Sequence, residues 1–421
     1  MRAIALILLF TVSAVLNAQE SISLFECHSQ AIENAPRLAD REHIQQIGQL
    51  KTDQAQTNWY PSLDLNGRVS YQSDVVTVTL ADPGIPVKFP QVPHDQYGLN
   101  LDLRQNIYDG GKTRQVKELE EAKTAADLQQ LEVDLYGLKA RVNLYYFAIL
   151  ELQASGQNLN IHMENLQARQ EALQIAIDNG TLLEIEMNVL NVEVLKIKQA
   201  VLEVDSREQA LIGALNVLCG ITLESGVELI LPNMDGYSEE EINRPEFKLF
   251  ELQDASLEAG KELTGRKRMP VLYAFGQTGY GKPGYNMMSE NWDFYYMIGA
   301  GLKWNIWDWN VTGQEKQVIE NQQMILRNQK ASFSKEVSSS LVQEEAKIEQ
   351  YRKSMELEKQ VLDLQGEISE NAAARLTNGT ITATDYVTEL NKESLARNKL
   401  ATQRIRLVQA ITNYITFQGN L

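Results

Sequence analysis

Two hydrophobic rhythms run along this chain and rarely mix. In the first, apolar residues return every three or four positions. From Leu128 the series reads Leu131, Leu135, Leu138, Val142, Tyr145, Ile149 and Leu152, and it resumes after Gly156 at Leu159, Met163, Leu166, Leu173 and Ile177. A second series follows Gly180: Leu183, Met187, Leu190, Val194, Ile197, Val201, Val204, Leu211, Leu215 and Leu218. A sustained period near 3.5 predicts long helices meeting along a coiled-coil seam. The first helix, from about Lys112 to Asn179, would be roughly 100 Å long at ~1.5 Å per residue. Asn179-Gly180 falls where a helical hairpin must reverse, and glycine takes the left-handed backbone of a helix end. A weaker seam (Val337, Leu341, Ile348, Tyr351, Met355, Leu362) leads to the same reversal at Asn378-Gly379. The predicted hairpins span about 112–218, with a tip at 179–181, and about 312–418, with a tip at 378–380.

The second rhythm has period two. Leu63, Leu65, Val69 and Tyr71 alternate with Asp64, Asn66, Arg68 and Gln72. Leu99, Leu101 and Leu103 alternate with Asn100, Asp102 and Arg104, and a greasy run from Phe294 to Ile306 alternates with Asp293, Gly299, Gly301, Lys303 and Asn305. Four strands are predicted, at about 61–80, 97–108, 270–280 and 292–308. One apolar face suits either a half-buried soluble sheet or a membrane barrel. Aromatics cluster at the strand ends (Trp59, Tyr60, Tyr97, Tyr108, Trp292, Trp304, Trp307, Trp309), as in interfacial belts.

The pattern occurs twice. Asn34-Ala-Pro36 recurs as Asn243-Arg-Pro245, and Trp59-Tyr-Pro61-Ser-Leu63 as Arg268-Met-Pro270-Val-Leu272. Asn106-Ile-Tyr-Asp109 recurs as Asn305-Ile-Trp-Asp308, and Asn179-Gly-Thr181 as Asn378-Gly-Thr380. Four matches in order, with a single change of spacing between them, indicate two internal repeats. The reading is a first repeat at 19–220, a connecting stretch at 221–241 and a second repeat at 242–421. The fold class is mixed and mainly α.

The start of the chain sets the compartment. Arg2, the apolar run Ala3–Phe10 and the small residue Ala18 read as a secretory leader at 1–18. No later apolar run reaches the roughly 18 residues of a membrane helix, so a membrane would have to be crossed by strands. A formal charge of −17 excludes a general nucleic-acid binder; lining a pore, it would favour cations. Cys27 and Cys219 are read as buried thiols or as a disulfide, since spacing alone cannot bring them together. The four histidines (His28, His43, His94, His162) form no ligand cluster with them, so no metal is expected. Asp109-Gly110-Gly111-Lys112-Thr113 fails as a phosphate loop, because Asn106 stands where a glycine is needed; it reads as a strand-to-helix turn. With no nucleophile elbow either, neither an enzyme nor a cofactor is expected.

Four strands cannot close a membrane barrel, which takes about eight or more, and an open edge cannot stand in lipid. If the strands meet lipid, several chains must pool them. The proline-rich loop at 81–96 and the stretch 281–291 would join paired strands at one end, and the Asn-Gly reversals would lie at the far end of the helices.

The leader, the duplication, Asn34-Ala-Pro-Arg-Leu38, Tyr60-Pro-Ser-Leu63, Ile107-Tyr-Asp-Gly-Gly-Lys112 and the two Asn-Gly-Thr tips together resemble the TolC-like outer-membrane efflux proteins. The resemblance covers essentially the whole chain after the leader. It implies a homotrimer whose chains each give four strands to a twelve-stranded barrel in outer-membrane lipid, continued by a periplasmic helical barrel. It also implies a periplasmic adaptor (membrane fusion) protein and an inner-membrane pump of RND or ABC type as partners, in tripartite efflux or type I secretion. Glu186 and Asp385, each six residues past a tip glycine, would form carboxylate rings at a periplasmic gate, with Glu389 beside them; otherwise they are solvated helix charges. Ile381 and Thr388 depart from the family pattern, standing where a gate-holding arginine and a second aspartate could be. Asn179, Gly180, Thr181, Asn378, Gly379 and Thr380 are candidates for adaptor docking or for plain turn chemistry. Two rival readings remain, a periplasmic adaptor and a structural envelope coiled coil. The first should have one hairpin and a lipoyl-like β module; the second leaves the strand near 293–309 unexplained.

Overall fold

The computed structural model describes residues 21–76, 91–224, 226–233 and 241–421. The leader expected at 1–18 lies outside them, as do most of the proline-rich loop and part of the connecting stretch at 221–241. The first half of the chain gives β1 (Ser21–Ile22), α1 (Leu24–Glu33), α2 (Asp40–Gln56), β2 (Ser62–Tyr71), β3 (Asp95–Tyr108), α3 (Lys112–Asp178) and α4 (Glu184–Cys219). The second half gives β4 (Glu228–Leu229), α5 (Pro245–Arg266), β5 (Val271–Lys282), β6 (Asp293–Lys303), α6 (Val311–Thr377) and α7 (Ala383–Gln418). Both α3 and α6 have 67 residues, and both α4 and α7 have 36.

The strand-to-helix turns show how local chemistry starts the long helices. The Asp109 carboxylate accepts the amides of Gly111 (2.9 Å) and Thr113 (2.7 Å), while Asn58 Nδ2 donates to it at 3.2 Å. Burial pushes the Asp109 carboxyl up, but the Thr113 hydroxyl and these amides together hold it below its usual range. Asp308 repeats the arrangement with the amides of Asn310 (3.1 Å) and Thr312 (3.0 Å). A capping carboxylate satisfies helix donors that have no partner in the first turn. The Asp-Gly-Gly-Lys-Thr sequence is therefore a helix start.

The chain divides into two compact units. The first holds residues up to Leu38, Glu132–Pro245 and Phe333–Leu421. Its seam residues are buried as the period demands: Leu135, Val142 and Ile149 of α3 are at most 4% exposed. Val142 and Ile149 join Leu24, Cys27 and Ala31 of α1, Ile212, Leu215 and Cys219 of α4, and Ile405 of α7 in one core. A second cluster near the tips contains Leu166, Leu173, Leu190, Leu376, Tyr386 and Leu390. β1 and β4 form a short parallel pair, and the Tyr146 hydroxyl lies 2.8 Å from the Ile22 carbonyl and 2.7 Å from that of Ile230.

The second unit holds Ala39–Leu131 and Glu246–Ser332. Its four strands form one antiparallel sheet in the order β2-β3-β5-β6. Beside the sheet, α2 lies along the start of α3 (Lys51–Glu120, 3.2 Å) and α5 along the start of α6 (Lys261–Glu320, 3.1 Å; Lys267–Glu315, 2.7 Å). The hairpins run over Lys112–Cys219 and Val311–Gln418, each with a return arm about half as long as its first. Each return arm is 36 residues, about 54 Å at ~1.5 Å per residue, and in the second unit α2 and α5 take the place beside the long helix. Two strands are shorter than expected. Of the run expected over 61–80, β2 ends at Tyr71, where the Gln72 amide turns to the His94 carbonyl (2.8 Å), and 77–80 lie outside the described residues. The run expected over 292–308 ends at Lys303.

His28 makes the first unit sensitive to pH. It is 4% exposed, and its Nε2 lies 2.7 Å from Asn143 Oδ1. Burial pushes its pKa down to about 4, below the ~6.5 of an unfolded histidine. The unfolded chain therefore binds the proton first. Stability should be whole above pH ~6.5 and fall as pH drops toward about 4, by about 3 kcal/mol in all. The check is a denaturation series from pH 7.5 to 5: His28→Gln should lose less stability than wild type, the remainder coming from His162, which burial also holds below its usual range.

Candidate functional site

Two regions combine exposure with organised chemistry. The first is the sheet of the second unit. The registers Leu63↔Leu103, Leu65↔Leu101 and Val69↔Tyr97 continue through Leu99↔Tyr280 to Tyr280↔Phe294, and Leu272 pairs with Leu302. Paired residues share a face, so these side chains form one apolar surface. That surface is open: Ile298 is 81% exposed, Val69 77% and Phe294 70%. A continuous apolar patch of this kind marks a surface that meets something apolar. Aromatic rings border it at both ends. Trp292 stacks on Tyr97 and on Tyr280, each at 5.5 Å, and Trp307 meets Trp309 edge-on at 5.8 Å.

The opposite face is polar and tied together. Asp102 accepts from Asn66 Nδ2 and from Gln277 Nε2, both at 2.6 Å, and the Tyr295 hydroxyl reaches Asn100 Oδ1 at 3.0 Å. The Arg104 guanidinium lies 4.3 Å above the Tyr273 ring. Tyr273 and Phe275 each lie across a glycine of β6, Gly301 and Gly299, where a Cβ would strike the ring. β2 and β6 are the outer strands, and neither has a partner on its outer edge among the described residues.

The second region is the pair of tips in the first unit. After α3, the Gly180 amide donates to the Ile177 carbonyl (2.8 Å) and the Thr181 amide to Ala176 (3.0 Å); after α6, Gly379 donates to Leu376 and Thr380 to Arg375, both at 2.9 Å. This double closure needs a left-handed residue, supplied by Gly180 (φ 72°) and Gly379 (φ 68°). The threonine hydroxyls bond the same carbonyls, Thr181 to Ala176 (2.7 Å) and Thr380 to Arg375 (3.0 Å). Asn179, Thr181, Asn378 and Thr380 are exposed.

The carboxylates named from sequence converge on one helix start. Asp385 Oδ2 accepts the Thr382 amide (3.1 Å), and the Thr382 hydroxyl caps the Asp385 amide (3.2 Å). The Thr382 hydroxyl and amide, with Arg375 adding, hold the Asp385 carboxyl below its usual range. Glu186 reaches from α4 to accept the Ala383 amide of α7 at 2.6 Å. Glu389 stands one turn further, bonded by Lys392 (2.8 Å) and Gln365 (3.1 Å), and these two hold its carboxyl down. Of the positions departing from the family pattern, Ile381 packs against the tip cluster and the Thr388 hydroxyl bonds back to the Thr384 carbonyl (2.9 Å).

Other residues join the hairpins that the sequence did not single out. The Arg169 guanidinium lies 5.5 Å from the ring centre of Tyr386, and Asn391 Nδ2 donates to Glu193 at 3.0 Å. Arg406 and Glu151 pair at 2.9 Å. These partners are far apart in sequence and lie on separate helices. The seam period places each on a flank, but it does not say which flank residues meet.

Residues 27–212 match the family of outer membrane efflux proteins. No curated protein matches the chain in sequence. Among solved structures, the outer membrane protein VceC of Vibrio cholerae is 13% identical, with 94% of this chain and 96% of that one covered at a TM-score of 0.68. The CmeC outer membrane channel of Campylobacter jejuni is also 13% identical, with 94% and 85% covered at 0.68. The open-state MtrE outer membrane channel of Neisseria gonorrhoeae is 14% identical, with 94% and 89% covered at 0.66. The chain therefore resembles outer membrane efflux proteins in sequence over residues 27–212 and shares the fold of these channels over nearly all its length.

The tip cap has its own pH signature. Because the folded pKa of Asp385 is depressed, its contribution is present above the ordinary aspartate value of ~3.9 and is lost as pH falls through the folded value. Hydrogen exchange of the peptide spanning Thr382–Leu390, corrected for intrinsic rate, should show protection at pH 6 that disappears at the acid end. In Thr382→Ala it should be weak at both.

Proposed function

We propose that this chain is the outer-membrane exit duct of an export system, and that it carries its substrate without chemically altering it. Three copies pool their four-stranded sheets into a twelve-stranded barrel, and the long helices of the three copies form a tunnel in the periplasm. The observation that carries this reading is the sheet of the second unit, whose apolar face is open and whose edge strands β2 and β6 lack partners among the described residues. In lipid an unpaired edge costs several kcal/mol per backbone group, so the edges must pair with other copies. The polar, cross-bonded face then lines the pore.

The internal duplication is part of the same proposal. Equal helix lengths, matched aspartate turns and matched tips support two repeats, at 19–220 and 242–421 around the connecting stretch. Their likeness gives each chain two similar hairpins, as a tunnel assembled from repeated walls requires. Asn179–Thr181 and Asn378–Thr380 are the surface offered to a periplasmic adaptor, which links the duct to a pump of RND or ABC type in tripartite efflux or type I secretion. Glu186, Asp385 and Glu389 are the gate carboxylates. A periplasmic adaptor or a structural coiled coil would have no use for an open greasy sheet bordered by tryptophans.

Ile298→Arg puts a charge in the middle of the apolar face. In a bilayer it should cost about 2–4 kcal/mol of barrel stability, seen as loss of the heat-modifiable gel form from the outer-membrane fraction. Undiminished heat-modifiable trimer would remove the proposed lipid contact. In planar bilayers Asp385→Ala should lower cation selectivity and cation block of single channels; unchanged values would remove the ring.

A further inference from the structure

We infer that Cys27 and Cys219 are joined by a disulfide in the mature protein, so that the first helix of the chain is covalently stapled to the end of α4. This rests on the export across the inner membrane proposed above, because an oxidising compartment is where such a bond forms and persists.

The fold brings together two residues that the sequence separates by most of the first repeat. Both are fully buried in the same cluster, and the Cys219 thiol donates to the Cys27 carbonyl at 3.5 Å. The neighbouring groups fix the pairing without help from sulfur. Asn34, the C-cap of α1, donates from Nδ2 to the Cys219 carbonyl at 2.9 Å. The adjoining Gly220 packs so closely on Asn34 that a Cβ there would stand 2.7 Å from Asn34 Cγ. These two contacts hold the end of α1 against the end of α4, beside the thiols. The chain has two cysteines in all, so one intramolecular pairing is available and no third thiol competes for it. Their burial also keeps the folded pair from bridging to another molecule.

The chemistry needs an oxidant, and a thiol–disulfide oxidoreductase in its disulfide form supplies it. One cysteine thiolate attacks the oxidant's disulfide, forming a mixed disulfide and releasing one oxidant thiolate. The second cysteine thiolate attacks the chain sulfur of that mixed bond, forming Cys27 Sγ–Cys219 Sγ and releasing the other oxidant thiolate. The two protons lost by the cysteines end on the reduced oxidant, which carries away the two electrons. The exchange precedes the burial of the pair, while a thiol can still be reached by the oxidant.

A bond here closes a loop covering nearly the whole of the first repeat, and the unfolded-chain entropy removed by a disulfide grows with loop length. It holds α1, the start of the described chain, against α3 and α4, where a terminal helix would otherwise fray first.

The test has two arms on the full chain. In the first, the outer-membrane fraction is denatured with a polyethylene-glycol maleimide and no reductant. The expected result is an unshifted band that takes two labels after reduction, and an intact mass lighter by two hydrogens than the reduced chain. Two labels without reduction, on protein found in the outer membrane, overturn the disulfide and leave the duct reading standing. In the second arm, chain made reduced in the cytoplasm without its leader is refolded in a mixture of oxidised and reduced glutathione. It should form one internal disulfide, whereas Cys27→Ser should end with a free or glutathione-capped Cys219. Wild-type refolding with both thiols free overturns the proposal wherever the chain resides in the cell. Reduction should also lower the melting temperature by roughly 5 °C or more, and the Cys27→Ala/Cys219→Ala double variant should show no redox dependence.

Discussion

Unpaired backbone at the edge of a greasy sheet is the constraint on which the proposed assembly depends. β2 and β6 each carry a row of amides and carbonyls with no partner on the outer side among the described residues. In water such an edge is a liability, and in lipid it is close to forbidden. The apolar face makes the conflict sharper. Side chains such as Ile298 and Val69 gain by leaving water at about 25 cal/mol per Å², but the surface that takes them in cannot hydrogen-bond to the edges. Association resolves both demands at once, since a second copy pairs the edge while the apolar face stays outward. The proposed closure of the sheet with other copies thus follows from which groups are left over.

Inside the chain, the same local solutions appear twice, and their small departures mark where the copies have separate work. Asp109 and Asp308 start the long helices in the same way. Gly180 and Gly379 end them with the same pair of bonds, and a threonine hydroxyl reinforces each. The return helices differ. α7 begins with a complete Thr382–Asp385 capping box, whereas α4 begins at Leu183, which offers no side-chain cap. The carboxylate of Glu186 is instead spent on α7, whose first turn receives acid from its own hairpin and from the other. A helix N-terminus carries partial positive charge, so the two acids lie where negative charge is favourable. The asymmetry makes α7 the better anchored return arm.

Much of this was legible in the sequence because it is periodic or punctuated. Of the seam from Leu131 to Leu152, Leu131, Leu135, Val142 and Ile149 prove buried and Leu138, Tyr145 and Leu152 half-buried, and the Asn-Gly pairs marked both reversals. Strand alternation fixed which side chains share the greasy face. Other features were not legible, for physical reasons. The end of β6 was overestimated because apolar alternation continues past Lys303, while pairing stops where β5 begins at Val271. Glu186 was found by its place after the tip, but its bond to Ala383 was not, since contacts between separate helices leave no trace in a single chain's period. The cysteines make the same point: spacing left pairing and burial open, and only the fold puts Cys27 and Cys219 side by side.

The polar links between the two hairpins have the magnitudes a gate needs. A carboxylate accepting an amide, as Glu186 does from Ala383, contributes about 1.5–3 kcal/mol net. A partly exposed guanidinium over a ring, as with Arg169 and Tyr386, adds about 0.5–2 kcal/mol, and the Asn391–Glu193 bond about 0.5–1.5 kcal/mol. Together they amount to a few kcal/mol per chain. For the proposed gate that is enough to keep a closed arrangement dominant and small enough for the binding of a partner to reverse. The apolar cluster under the tips is costlier to break, because Leu376, Leu390 and Leu173 are almost wholly out of water. An opening motion that keeps this cluster and exchanges only the polar links stays within that range. Any movement that pulls Leu376 and Leu390 into solvent does not, so in the proposed gate the opening is a sliding and turning of helices on a preserved core.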